Sequence, residues 1–222
     1  MRFLGKKLTG SPTAARVAPF LIFVALTVCQ GQFGAAAACW FYFAKTIIGA
    51  WLVWEMRPLL SEMRWAFSWE AVVVGVGVLV IWVGLDPYYP HLMKDEAAWN
   101  PNVPFGEDSA LAWLMIGMRI LGSTFIVPPL EEVFYRSFLY RYIANQNFLS
   151  VPLNKFLPAP FLATALAFGF SHNEWLAGIL CGAAYQWLVI RKNRLGDAMT
   201  AHAITNFLLG AWIVWRGAWH FW

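Results

Sequence analysis

Three short stretches carry polar groups in patterns that hydrolytic chemistry can use. The first, PPLEEVFYR at 128–136, sets two adjacent carboxylates and an arginine in a chain that otherwise avoids charge. Successive residues lie about 100° apart around a helix, so Glu131 and Glu132 cannot share one role. Glu132 and Arg136 are four apart in the favourable acid-before-base order, which makes a salt bridge natural. Glu131 is then left on another face, free to meet a polar chamber and serve as a general base. Pro128 and Pro129 suit the end of one helix and the start of the next. Both glutamates are therefore expected in a new first turn, where the helix dipole favours negative charge. Taken alone, the stretch equally fits a helix capped at an interface.

The second stretch is FGFSH, 168–172, in which Phe168 and His172 are four apart and can pack on one helical face. A histidine there is otherwise an interfacial residue. The third is HAITN, 202–206, whose spacing puts the His202 imidazole and the Asn206 carboxamide on the same face. Both can donate toward one point, as an oxyanion hole requires. They can equally hold two helices together. Glu131, His172 and His202 also form a conceivable two-histidine, one-carboxylate zinc set. The chain has no H-E-x-x-H, however, and a glutamate bound to zinc could not act as the base. A mechanism without metal or other cofactor is the expectation, with zinc as the alternative.

The elements that must position these groups are apolar. Of 222 residues, 60% are hydrophobic and 13% are charged, against about 25% charged in soluble domains. Apolar runs recur at 17–30, 36–54, 69–85, 110–127, 156–170, 175–190 and 198–215, near the roughly 17–25 residues of a spanning helix. Glycines and Pro19 within them are tolerated in lipid, and tryptophans near their ends (Trp54, Trp69, Trp113, Trp175, Trp215) resemble interfacial anchors. The fold class is therefore all-α: a polytopic membrane bundle of about eight transmembrane helices. One integral membrane domain is expected over 1–222, with its core at 110–215. Lipid is then a partner, whereas a net charge of +4 spread over short loops gives no nucleic-acid stripe. The three cysteines have no metal-type spacing and imply no disulfide framework. The basic start with AAAA at 35–38 resembles a signal peptide, but the many later spans favour an uncleaved first helix.

Orientation is in conflict at this level. Arg2, Lys6, Lys7 and Arg16 precede the first span, and Arg57 and Arg64 follow the second, so both regions should be cytoplasmic. The polar interval 86–109, with a short helix expected near 91–99, would lie outside. If 130–143 is a further span, Arg191, Lys192 and Arg194 land outside, against the charge rule. If 130–143 lies in the interface instead, His172 moves away from Glu131.

In order, EEVFYR, FGFSH and HAITN match the patterns E-E-x-x-x-R, F-x-x-x-H and H-x-x-x-N. On these motifs the chain resembles the CPBP family of intramembrane glutamic proteases, which includes type II CAAX prenyl endopeptidases and exosortase-associated relatives. The resemblance implies an endopeptidase acting on a membrane-associated protein or peptide, of CAAX or leader type, in a prokaryotic inner (plasma) membrane. It implies Glu131 as general base aided by His172, His202 and Asn206 as oxyanion donors, and Glu132, Arg136 and Phe168 as structural support. Competing readings are a non-catalytic membrane scaffold and a small-solute transporter. Lys45 and Arg119 also fall in apolar runs; Arg119 could bind a substrate carboxylate or neutralise an acidic neighbour, structural pairing is the expected role, and both stay outside the catalytic set.

Overall fold

Serine side chains open three of the apolar helices. Ser11, Ser68 and Ser109 accept hydrogen bonds from Ala14, Ala71 and Ala112 amides at 3.2, 3.3 and 3.0 Å, satisfying donors that a helix start leaves bare. A computed structural model describes residues 10–92 and 98–222. In it α1 runs Pro12–Gln30, α2 Ala35–Met56, α3 Trp69–Leu85 and α4 Ala110–Phe125. After α4 come α5 (Val127–Glu132), a π-helical turn (Val133–Leu139) and α6 (Tyr140–Ala144). The chain closes with α7 (Pro158–Gly169), α8 (Trp175–Lys192) and α9 (Gly196–Arg216).

Among the described residues there are no strands, and the fold is the expected all-α polytopic bundle. Five helices are long and apolar enough to cross a membrane: Pro12–Gln30, Ala35–Met56, Trp69–Tyr88, Ala110–Ala144 and Gly196–Arg216. Residues 35–38 form the first turn of α2. The helix expected near 91–99 falls largely on residues outside the described set, as do Arg2, Lys6 and Lys7.

The block 130–143 is neither a separate span nor an interfacial helix. It continues α4 through Ile126, which keeps right-handed helical angles, into one 35-residue helix. Pro128 and Pro129 lack amide hydrogens, yet the helix continues through them, because packed neighbours re-satisfy freed backbone groups in a bundle. The consequence for topology is direct. Arg141 at the end of this helix reaches Glu62 at 3.6 Å, and Arg16 near the start of α1 reaches it at 2.5 Å. At the same end, Lys192 pairs with Glu70 at 2.7 Å, and the Thr200 hydroxyl donates to the Ala66 carbonyl at 2.8 Å. At the other end the Trp175 indole donates to Pro90, the Leu92 amide to Asn173 and the Trp99 amide to Trp222. Arg57, Arg64, Lys155, Arg191 and Arg194 thus join Arg16 and Arg141 at one end, with Arg216 at the other. The basic loop at 191–194 no longer conflicts with the charge rule.

Small residues bring the helices around the site into close contact. A Cβ on Gly178 would lie 2.9 Å from the Cα of Gly169, so α7 and α8 touch backbone to backbone. One on Gly75 would lie 2.7 Å from the Ala201 carbonyl, fixing α3 against α9. Such contacts replace the hydrophobic effect as the driving force between helices in lipid. The shared core includes Leu130, Val133, Phe168, Tyr185, Leu188 and Met199, and it packs beneath the polar residues described next.

Candidate active site

Glu131 and Glu132 close α5, immediately before the π-helical turn. They are the last two residues of a six-residue segment inside a continuing helix, not members of a new first turn, so the expected dipole effect is absent. Their division between two faces is as expected. Glu132 is fully buried, with Oε2 at 3.2 Å from Arg136 Nε. Glu131 is partly exposed and lines a cavity of about 300 Å³ within the bundle. A π-helical turn is frequent at functional sites, where its extra residue re-aims neighbouring side chains.

His202 sits between the two carboxylates. Its Nδ1 is 3.0 Å from Glu132 Oε1, and its Nε2 is 4.0 Å from Glu131 Oε2. Glu132 therefore fixes the imidazole: Nδ1–H donates to that carboxylate and Nε2 faces the cavity. The ring is held from behind by Tyr185, stacked at 5.1 Å, and edge-on by Phe168 at 6.1 Å.

His172 comes from the turn after α7. Its Nδ1–H donates to the Phe168 carbonyl at 2.8 Å, so the neutral ring presents the Nε2 lone pair. Trp82 meets the ring edge-on at 5.4 Å and Phe168 packs against it at 4.7 Å. Burial holds this imidazole below its ordinary value, with Glu131 opposing that shift. Asn206, one helical turn beyond His202 on α9, lines the same cavity. Its Nδ2 donates to the Ser123 carbonyl at 2.8 Å, which leaves one amide hydrogen for another acceptor.

Glu131, His172, His202 and Asn206 thus border one chamber, as the sequence motifs require. Phe168 is the hub beneath it, with the Arg136 guanidinium 4.4 Å from its ring centroid. Several site residues were not singled out from the sequence. Tyr185 donates to Thr205 Oγ1 at 2.7 Å, and Thr205 donates onward to Gly75 at 2.8 Å, which locks the wall behind His202. Tyr135 donates to Ser171 at 3.1 Å, next to His172. Tyr135 lies inside EEVFYR, where a buried phenol was a legible clue; Tyr185 and Thr205 lie in ordinary apolar surroundings. Lys45 and Arg119 depart from expectation: among the described residues neither has an acidic partner, and both line this cavity.

Residues 112–208 match the family model described as type II CAAX prenyl endopeptidase Rce1-like. The likeness is confined to that segment. It runs from α4 into α9, a little under half of the chain, and contains Glu131, Glu132, Arg136, Phe168, His172, His202 and Asn206. Neither a curated protein nor a solved structure matches the chain. The Rce1-like segment therefore supplies every motif residue at the chamber, whereas α1 and α2 contribute Phe23, Thr27, Tyr42 and Lys45 from outside it. The match supports a peptidase in general, and the five long apolar helices among the described residues support an integral membrane protein.

Proposed function

We propose that this protein is an intramembrane glutamic endopeptidase that hydrolyses a peptide bond of a membrane-associated protein or peptide. The reading rests on one observation: Glu131, His172, His202 and Asn206, from three separate stretches of chain, face a single cavity. Water held between Glu131 and His172 Nε2 attacks the carbonyl carbon, and its proton passes to Glu131. The tetrahedral oxyanion takes hydrogen bonds from His202 Nε2–H and from the free amide hydrogen of Asn206. His202 donates there as an imidazolium, a state the Glu132 carboxylate at Nδ1 stabilises. Collapse breaks the C–N bond, and Glu131 returns its proton to the leaving amine. Each oxyanion donor is worth about 10²–10³ in rate, and the base about 10²–10⁴.

Glu132, Arg136 and Phe168 act in this scheme by position. The chemistry is proposed without a metal: among the described residues no three His, Cys, Asp or Glu side chains converge as an ion would need. Cleavage unaffected by a chelator supports this, and activity that zinc restores after chelation overturns it. The charge bias supports a cytoplasmic position for the end with Arg16, Arg57, Arg64 and Arg194, and a prokaryotic inner membrane is the proposed setting.

The deciding experiment uses the purified full-length chain in lipid nanodiscs, with a library of acyl-anchored peptides read by mass spectrometry. Glu131→Gln should abolish cleavage while the thermal melt stays within a few degrees of the parent. Cleavage at the parental rate by Glu131→Gln removes the base from this scheme.

A further inference from the structure

Away from Glu131, the cavity ends on two cations. Lys45 Nζ donates to Thr27 Oγ1 at 3.1 Å and stands 4.5 Å from the Tyr42 ring centroid. The Arg119 guanidinium lies 4.7 Å from the same centroid, 4.6 Å from that of Trp99 and 5.3 Å from that of Trp222. Sharing one ring, the two cations lie within about 9 Å of each other. Both also line an adjoining cavity of about 400 Å³, which shares Thr27 and Trp222 with the first. Neither has a carboxylate within ion-pair distance among the described residues.

Two like charges inside an apolar bundle are costly, and residues of this kind persist where they serve a ligand or a pathway. Aromatic faces offset only part of that cost. The three rings surround the guanidinium, and among the described residues its N–H groups make no hydrogen bond, so they are available to an acceptor. A guanidinium matches a carboxylate in bidentate fashion. The chamber is polarised as well: an acid, Glu131, marks one part of it and two cations mark another.

We propose that Lys45 and Arg119 form an anion subsite that holds a carboxylate of the peptide whose scissile bond lies at Glu131, which rests on the endopeptidase reading above. The polarity orients the substrate, because Glu131 repels the carboxylate that the cations attract. The subsite lies within the bundle rather than on its lipid-facing side, which favours a peptide carboxylate over a lipid phosphate. The carboxylate is the peptide's C-terminus or an acidic side chain; both offer the same planar pair of oxygens.

The test reads binding, not cleavage, in the full-length Glu131→Gln variant in zwitterionic nanodiscs. Three acyl-anchored heptapeptides of leucine and alanine serve as probes: one with a free C-terminal carboxylate, one with a C-terminal carboxamide, and one carboxamide with a single glutamate. The better carboxylate probe should bind about tenfold or more tightly than the neutral peptide, as charged hydrogen bonds allow, and its identity names the source. Adding Arg119→Gln or Lys45→Met should reduce that ratio to about twofold or less, while Arg119→Lys keeps part of it. The ratio is internal to each variant, so a partly unfolded sample does not mimic the effect. Equal binding of all three probes, or a ratio unchanged by Arg119→Gln, overturns the proposal. So does Arg119-dependent retention of phosphatidylglycerol with no discrimination among the peptides. Failure of the parent chain to cleave any peptide would instead sink the endopeptidase reading and leave this binding result intact.

Discussion

The ion pair of Glu132 and Arg136 is the feature whose removal has the most calculable consequence. Both side chains are fully buried, with Nε and Oε2 at 3.2 Å. Beyond Glu132, Arg136 has the Gly182 carbonyl at 3.3 Å and the Phe168 ring face. Glu132→Gln keeps an amide oxygen for His202 Nδ1–H but leaves the guanidinium without a counter-charge. Breaking a buried pair in this way costs about 3–5 kcal/mol. For a chain of this size, about 2–4 °C of melting temperature is lost per kcal/mol, so a fall of roughly 6–20 °C is expected. The measurement is a tryptophan-fluorescence melt in one detergent. Glu132→Gln combined with Arg136→Met removes the stranded charge and should recover part of the loss, giving a coupling of about 2 kcal/mol or more. A drop below about 3 °C for Glu132→Gln, or a double variant equal to the sum of the singles, would refute the account of Glu132 as charge partner.

Four other outcomes are expected. Gly75→Val would place side-chain atoms where a Cβ is already 2.7 Å from the Ala201 carbonyl, so α3 and α9 should separate and stability fall by about 1–3 kcal/mol; an unchanged melt contradicts that contact. Burial pushes the Glu62 carboxyl up, but the Ser137 hydroxyl and Arg16 together hold it below the ordinary carboxylate value. Its stabilising contribution is thus present above about pH 4.3, the unfolded value, and is lost as pH falls below it; in Glu62→Gln that acid loss should shrink, and an identical pH–melt curve would contradict the assignment. Burial lowers the His172 value, so kcat/KM should remain level as pH falls through about 6.5, and an acidic limb centred above that pH would show His172 to be an ordinary imidazole. Cysteines placed at the exposed positions Arg194 and Asp108, in a Cys29→Ala background, should react with impermeant reagent from opposite faces of sealed vesicles; labelling from one face rejects the topology.

What could be read in the sequence was local. Spacings of four, Glu132 to Arg136, Phe168 to His172 and His202 to Asn206, report neighbours on one helical face, and all three pairs share a face or touch in the fold. The contact that fixes the His202 tautomer joins residues 70 positions apart, and no spacing encodes it. The same holds for Tyr185 behind His202 and for the pairing of Arg16 with Glu62. The first-turn expectation for Glu131 and Glu132 failed because the Pro128–Pro129 pair was read by rules for water. In a bundle, neighbours satisfy the backbone that proline frees, and the helix goes on. Electrostatic help for the carboxylates then comes from Arg136 and the imidazoles, not from a dipole.

The orientation conflict shows why continuity matters more than counting apolar runs. Reading 130–143 as a span or as an interfacial helix offered two choices: one misplaced the basic loop at 191–194, and the other separated His172 from Glu131. Both assumed that the chain breaks at the prolines. Once Ala110–Ala144 is one helix, its end meets Glu62 through Arg141, beside Arg16. α7 then starts from that same end and carries the chain back toward the other, where Trp175 meets Pro90. The turn between α7 and α8 sets His172 on the chamber wall, and α8 returns Arg191 and Lys192 to the basic end, where Lys192 meets Glu70. A single unbroken helix and the α7–α8 pair after it therefore satisfy the charge rule and bring the four polar groups together. A chain rebuilt to end its helix at Pro128 would have to give up one or the other.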